Sequence, residues 1–156
     1  MYVNSDHAGE METQRSRTGF LIYMNKSLVK WLSKKQPSIE TSVFGAKFVA
    51  MKIGMETLRG LGYKLRMMGI PLSGPLVIYG YNISMIHNTQ RPDSTFRKKI
   101  NSICYHAIRE SVTMGESMTA WVPTGKNPAD LLTKVLYGSK WRHIVGNVMH
   151  DIYDEH

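Results

Sequence analysis

Thiols are nearly missing from this sequence. Cys104 is the only cysteine among 156 residues, which excludes an internal disulfide and any zinc site built on several thiolates, and points to a reducing compartment. Acid is scarce too: 12 Asp and Glu stand against 20 Lys and Arg, a formal net charge of +8. That excess suits a polyanionic partner such as nucleic acid, and equally a merely solvated basic surface. No apolar run approaches the roughly 18 residues of a membrane span. The opening M-Y-V-N-S-D-H lacks the basic and apolar regions of a signal peptide, so a secreted or membrane protein is not expected. G-x-S-x-G, the P-loop and G-x-G-x-x-G are all absent, which removes the common signatures of serine hydrolases and nucleotide binders. The histidines (His7, His87, His106, His143, His150, His156) show no metal-ligand spacing.

What is present is enough for one domain with a core, at 42% hydrophobic and 21% charged residues. The chain enters a β-prone stretch at Tyr2, which marks Met1 as the edge of a fragment. Tyr2 to Asn4, Thr18 to Met24 and Leu28 to Leu32 read as a three-stranded meander, with Asn25 to Ser27 as a hairpin turn. Ser33 to Ser42 is a loop ending in capping residues, Glu40 among them. Apolar Phe44, Phe48, Met51, Met55, Leu58, Leu61, Leu65 and Met68 recur every three or four positions and predict a helix over Val43 to Met68. Gly54 or Gly60 could admit a close neighbour along it. Leu76 to Tyr79 is a buried strand, and a short helix is expected at Ser84 to Asn88. Phe96, Ile100, Ile103, Ala107, Ile108 and Val112 predict a helix over Thr95 to Met114. Trp31 and Trp121 alternate with apolar residues and read as core. No repeat and no linker interrupts the chain. The pattern is that of a mixed sheet with helices packed on it.

Thr119 to Leu136 (T-A-W-V-P-T-G-K-N-P-A-D-L-L-T-K-V-L) carries the most specific local signal. A strand, Thr119 to Val122, leads through the turn P-T-G-K to Asn127 as N-cap and Pro128 at the first helical position, with Leu131, Leu132 and Val135 as the apolar face. Asp130 thus falls in the first helical turn. It reads either as a third-position acid that reaches back to Asn127 and offsets the helix dipole, or as a site carboxylate. Lys140 to His150 is a last amphipathic stretch, followed by the acidic D-I-Y-D-E-H.

Y-V-N-S-D-H-A-G (Tyr2 to Gly9), R-S-R-T-G-F (Arg15 to Phe20), W-L-S-K-K-Q (Trp31 to Gln36), E-T-S-V-F-G-A-K-F-V-A-M (Glu40 to Met51), L-R-G-L-G-Y-K-L-R-M-M-G-I-P (Leu58 to Pro71), Y-G-Y-N (Tyr79 to Asn82) and N-P-A-D-L-L-T-K (Asn127 to Lys134) follow one another in order. Together they resemble the ribonuclease H domain of copia-type LTR retrotransposon polyproteins. The resemblance implies an α/β fold, a five-stranded ribonuclease H-like mixed sheet with helices on both faces, over residues 1–136, with 137–156 as a C-terminal helix and acidic tail on or beyond it. It also implies cleavage of the RNA strand of an RNA–DNA hybrid by two Mg²⁺ ions held on four carboxylates. The implied partners are that hybrid and an upstream reverse transcriptase domain of the same polyprotein, in a cytoplasmic particle or the nucleus.

Three of those four acid positions are changed. Asn4 stands where the pattern has the first Asp, Lys47 where it has the helix Glu, and Tyr81 where it has the Asp ending the buried strand. Only Asp130 remains. Each change is a single first-base codon step, as in a decaying mobile element or a deliberate inactivation. Asp130 and Lys47 sum to zero charge where two dications need about −4, and Tyr81 is neutral and bulky. The sequence therefore predicts weak or absent Mg²⁺ binding and a pseudoenzyme. Two other readings stay open: a non-catalytic nucleic-acid-binding or scaffold domain, and a one-metal nuclease built on Asp130, Asp6 and Glu40, with Asp6 reaching the metal only if the first strand extends that far. Phosphate contacts are expected from Arg15, Arg17, Lys34, Lys35, Arg97, Lys98 and Lys99.

Overall fold

Runs of β-branched and aromatic residues form five strands, joined into one sheet in the order β3-β2-β1-β4-β5. The structure is a computed structural model, and it describes residues 1–7, 14–40, 42–80, 86–87, 102–123 and 125–148. β1 (Tyr2–Ser5), β2 (Arg17–Met24) and β3 (Ser27–Lys35) form the antiparallel meander; β4 (Leu76–Gly80) and β5 (Ser117–Trp121) extend it in parallel with β1. The helices α1 (Val43–Met67), α2 (Ser102–Thr113) and α3 (Gly138–Val148) and a 3₁₀ segment (Pro128–Leu132) complete the described elements. The expected α/β class and mixed five-stranded sheet are therefore found. The short helix expected at Ser84 to Asn88 falls largely outside the described residues, as do the acidic tail and the first turns of the Thr95 helix.

One face of the sheet carries the main core. Val3, Phe20, Ile22 and Ile78 meet Phe48, Met51 and Met55 of α1 and Tyr105 and Ile108 of α2. The Phe48 and Tyr105 rings pack edge to face, 5.9 Å apart. Each such large side chain contributes about 1.5–3 kcal/mol on burial. The other face of β1 and β2 lies under the 3₁₀ segment, and α3 packs on that segment in turn. β2 is buried on both faces for this reason, and Leu21 is as enclosed as its neighbours Phe20 and Ile22. β3 is an edge strand with Lys30, Lys34 and Lys35 along it, charges that discourage pairing with another chain.

Two glycines permit this layering. A Cβ on Gly54 would lie 2.8 Å from Met1 Cε, so its absence lets α1 settle on the start of β1, whereas Gly60 faces open space. A Cβ on Gly19 would meet Thr133 Cγ2 at 2.7 Å and Leu132 Cβ at 2.8 Å. Gly19 thus seats the 3₁₀ segment on the sheet, directly beside Asn4, its partner across the β1–β2 ladder.

Several expectations are corrected. Pro128 starts a five-residue 3₁₀ turn rather than a helix reaching Leu136. Its inward side is Ala129, Asp130 and Thr133, while Val135 is 90% exposed. Trp31 and Trp121 are exposed at 63% and 48%, because β3 and β5 are the sheet edges. Ile103 lies off the inward stripe of α2, which runs through Tyr105, Ile108 and Ser111, and Met68 caps α1 in solvent. Glu40 does not cap α1: Ser42 does, accepting from Gly45 N at 3.0 Å. Glu40 is instead buried, and its Oε1 accepts from Ser38 Oγ at 2.8 Å.

Candidate active site

β1 brings Asn4 to the sheet's second face, and the 3₁₀ segment sets Asp130 on top of it. Asn127 makes that placement rigid. Its Oδ1 accepts from Ala129 N at 3.0 Å as an N-cap, and its Nδ2 donates to Val3 O at 2.9 Å. One fully buried side chain therefore starts the turn and ties it to β1. Asp130, 2% exposed, does not reach back to Asn127. Its Oδ1 accepts from Asn4 Nδ2 at 2.5 Å, and the same amide nitrogen donates to Thr133 Oγ1 at 2.9 Å. The helix-capping account of Asp130 is thus replaced by a contact with the opposite end of the sequence.

Lys47 enters from α1. Gln36 fixes the first turns of that helix to β2, donating through Nε2 to Thr18 Oγ1 at 3.0 Å and to Ala46 O at 2.8 Å. Burial holds the Lys47 ammonium below the usual lysine range; the charge of Lys134 lowers it further, and Asp130 pulls it back up. Lys134 Nζ lies 3.6 Å from Asp130 Oδ1 and Lys140 Nζ 3.6 Å from Oδ2. The structure therefore brings Asn4, Lys47 and Asp130 into one neighbourhood. It adds Thr133, Lys134, Lys140 and Gly19, which the sequence reading had not singled out. Lys134 had a weak signal, its i,i+4 spacing from Asp130; Lys140, on a different element, had none.

Asp130 lies between two ammonium groups, and Lys47 is near enough to feel their charges, so the four side chains carry a net formal charge of +2. Paired Mg²⁺ ions require clustered anionic oxygens, and this donor set does not fit them. Among the described residues no group of three or more His, Cys, Asp or Glu side chains is placed to hold a metal ion. Tyr81 lies outside the described residues. β1 ends at Ser5, so Asp6 is not carried along the strand toward the pocket. Its carboxylate accepts instead from Arg17 N and closes the β1–β2 end. Glu40 is engaged by Ser38, and its backbone carbonyl meets His7 Nε2 at 3.0 Å.

Beside the pocket runs an open cleft of about 600 Å³, lined by Asp6, Arg15, Arg17, Lys35, Lys134 and residues 131–133, among others. Arg15, Arg17 and Lys35 of the expected phosphate contacts thus share one groove. Lys34, opposite Thr18 in the ladder, lies on the other face. Arg97, Lys98 and Lys99 lie outside the described residues.

Comparison with known proteins gives this geometry a lineage. The chain is 31% identical over 135 residues to the retrovirus-related Pol polyprotein from transposon RE2 of Arabidopsis thaliana, covering 86% of this chain and 9% of that one. It is 28% identical over 147 residues to the corresponding polyprotein of transposon RE1 from the same plant, 94% of this chain and 10% of that one. It is 29% identical over 140 residues to that of transposon TNT 1-94 of Nicotiana tabacum, 90% of this chain and 10% of that one. The chain thus spans about a tenth of the length of these relatives. No family model matches it. Among solved structures it superposes on ribonuclease H1 of Halobacterium salinarum with a TM-score of 0.62 at 13% identity, covering 84% of this chain and 90% of that one. Against LC11-RNase H1 in complex with an RNA/DNA hybrid the TM-score is 0.63 at 16% identity, again over 84% of this chain and 90% of that one.

Proposed function

We propose, for a chain that has the ribonuclease H fold and transposon Pol polyproteins as its relatives, that it is a ribonuclease H-like domain which holds RNA–DNA hybrid without cutting it. The observation that carries this is the state of Asp130. Its carboxylate accepts from Asn4 and lies between the ammonium groups of Lys134 and Lys140. A dication brought there would meet ammonium groups that repel it and a ligand already engaged. The cleft with Arg15, Arg17 and Lys35 supplies positive charge for a phosphate backbone. On this reading Mg²⁺ binds weakly or not at all, and the domain serves a longer polyprotein, beside its reverse transcriptase, by binding rather than by hydrolysis.

The test is incubation with end-labelled hybrid in Mg²⁺ and then Mn²⁺. Retention of intact hybrid, with affinity falling steeply as salt rises, is the expected result. Metal-dependent cleavage that Asp130→Ala abolishes would overturn the reading, and would send the search for ligands to Asp6 and Glu40.

A further inference from the structure

We propose that the pocket around Asp130 is an anion site, in which Lys134 and Lys140 bind a backbone phosphate directly and make hybrid binding independent of divalent cations. This rests on the reading that the domain binds hybrid, and it specifies how.

Charge is the first support. A pocket with a net formal charge of +2 attracts phosphate and repels Mg²⁺. Geometry is the second. Both ammonium–carboxylate separations are 3.6 Å, longer than the 2.7–3.2 Å of an N–H···O hydrogen bond. An ammonium has three donors, so a lysine that meets Asp130 can meet a second acceptor as well. The lysine side chains are 41% and 45% exposed while that of Asp130 is 3% exposed. An anion arriving from solvent therefore meets the ammonium groups before it meets the carboxylate. Continuity is the third. Lys134 belongs both to the pocket and to the cleft that contains Arg15, Arg17 and Lys35. A strand laid along that cleft delivers successive phosphates to the arginines and then to Lys134 and Lys140.

Asp130 is the internal competitor for the same lysines, and Asp130→Asn removes the carboxylate that competes with an incoming phosphate for both of them. Its amide oxygen can still accept from Asn4, so the turn keeps its anchor.

The experiment is fluorescence anisotropy with a labelled RNA–DNA hybrid at matched ionic strength, with a urea midpoint on each variant to confirm folding. We expect equal affinity in EDTA and in millimolar Mg²⁺. Asp130→Asn should tighten binding by roughly 3–10-fold, the range set by freeing one or two charges. Lys134→Ala with Lys140→Ala should weaken binding about tenfold or more and flatten the slope of log affinity against log salt by about 2. A requirement for Mg²⁺, or binding weakened by Asp130→Asn, overturns the proposal. If hybrid binds but neither set of variants alters it, the pocket assignment fails and the hybrid-binding reading stands. If hybrid does not bind, inorganic pyrophosphate decides the pocket by NMR. Shifts of the Asn4 side-chain amide that vanish in the double lysine variant uphold an anion site, and no shift removes it.

Discussion

Asn4 and Asp130, 126 positions apart, share a hydrogen bond of 2.5 Å between two buried side chains. Without it the buried Asp130 carboxylate would lose its amide donor. A bond to a charged acceptor contributes about 1.5–3 kcal/mol. Asn4→Ala should therefore lower stability by about 2 kcal/mol, read as a drop in the urea midpoint without a change in slope.

Asn4→Asp tests the same pair from the other side. It sets a second carboxylate against Asp130, and like charges at that range favour protonation of one of them. Relative to the parent, this variant should be less stable at neutral pH and recover as the pH falls. A variant as stable as the parent at neutral pH, with no gain on acidification, would mean that the two side chains do not share the pocket.

Gly19 and Gly60 make a matched pair. Gly19→Ala drives a methyl into Thr133 and Leu132 under the 3₁₀ turn, and overpacking of this kind costs about 1–3 kcal/mol. Gly60→Ala meets nothing and sits inside α1, where replacing Gly by Ala gains up to about 1 kcal/mol. Opposite signs in the two urea midpoints are expected; a neutral Gly19→Ala would mean that the turn does not rest on the sheet as described.

The sheet was legible in the sequence because the strands carry period-two or continuous apolar runs, and α1 because its buried positions recur at helical spacing. Trp31 and Trp121 misled because alternation reports a strand and not whether that strand is an edge. Asp130 misled in a similar way. Asn127, Pro128 and an acid three residues on from Asn127 form a helix-start signature, yet what fixes the segment is Asn127 bonding to Val3 and Gly19 leaving room for Thr133. Those partners are more than a hundred residues away. Asn4, Lys47 and Asp130 were identified as a set only through resemblance to a family. Lys140, which completes the ring around Asp130, lies on another element, and no local pattern marks it.

Lys47 provides a pH readout. Its folded-state pKa is lowered, chiefly by burial, so the unfolded chain binds the proton more tightly. Its contribution to stability therefore rises with pH between that lowered value and the ordinary lysine value of about 10.4. Subtracting the pH–stability curve of Lys47→Met isolates this rise from the other groups that titrate there. A flat difference curve would place Lys47 in solvent, and one that slopes the other way would mean that an anion outweighs its burial.

The most direct measurement compares this chain with its triple variant Asn4→Asp, Lys47→Glu, Tyr81→Asp on labelled RNA–DNA hybrid in Mg²⁺ and Mn²⁺. The parent is expected to leave the hybrid intact at every metal concentration, and the variant to cut its RNA strand. Cutting by the parent at the variant's rate, stopped by Asp130→Ala, would contradict it.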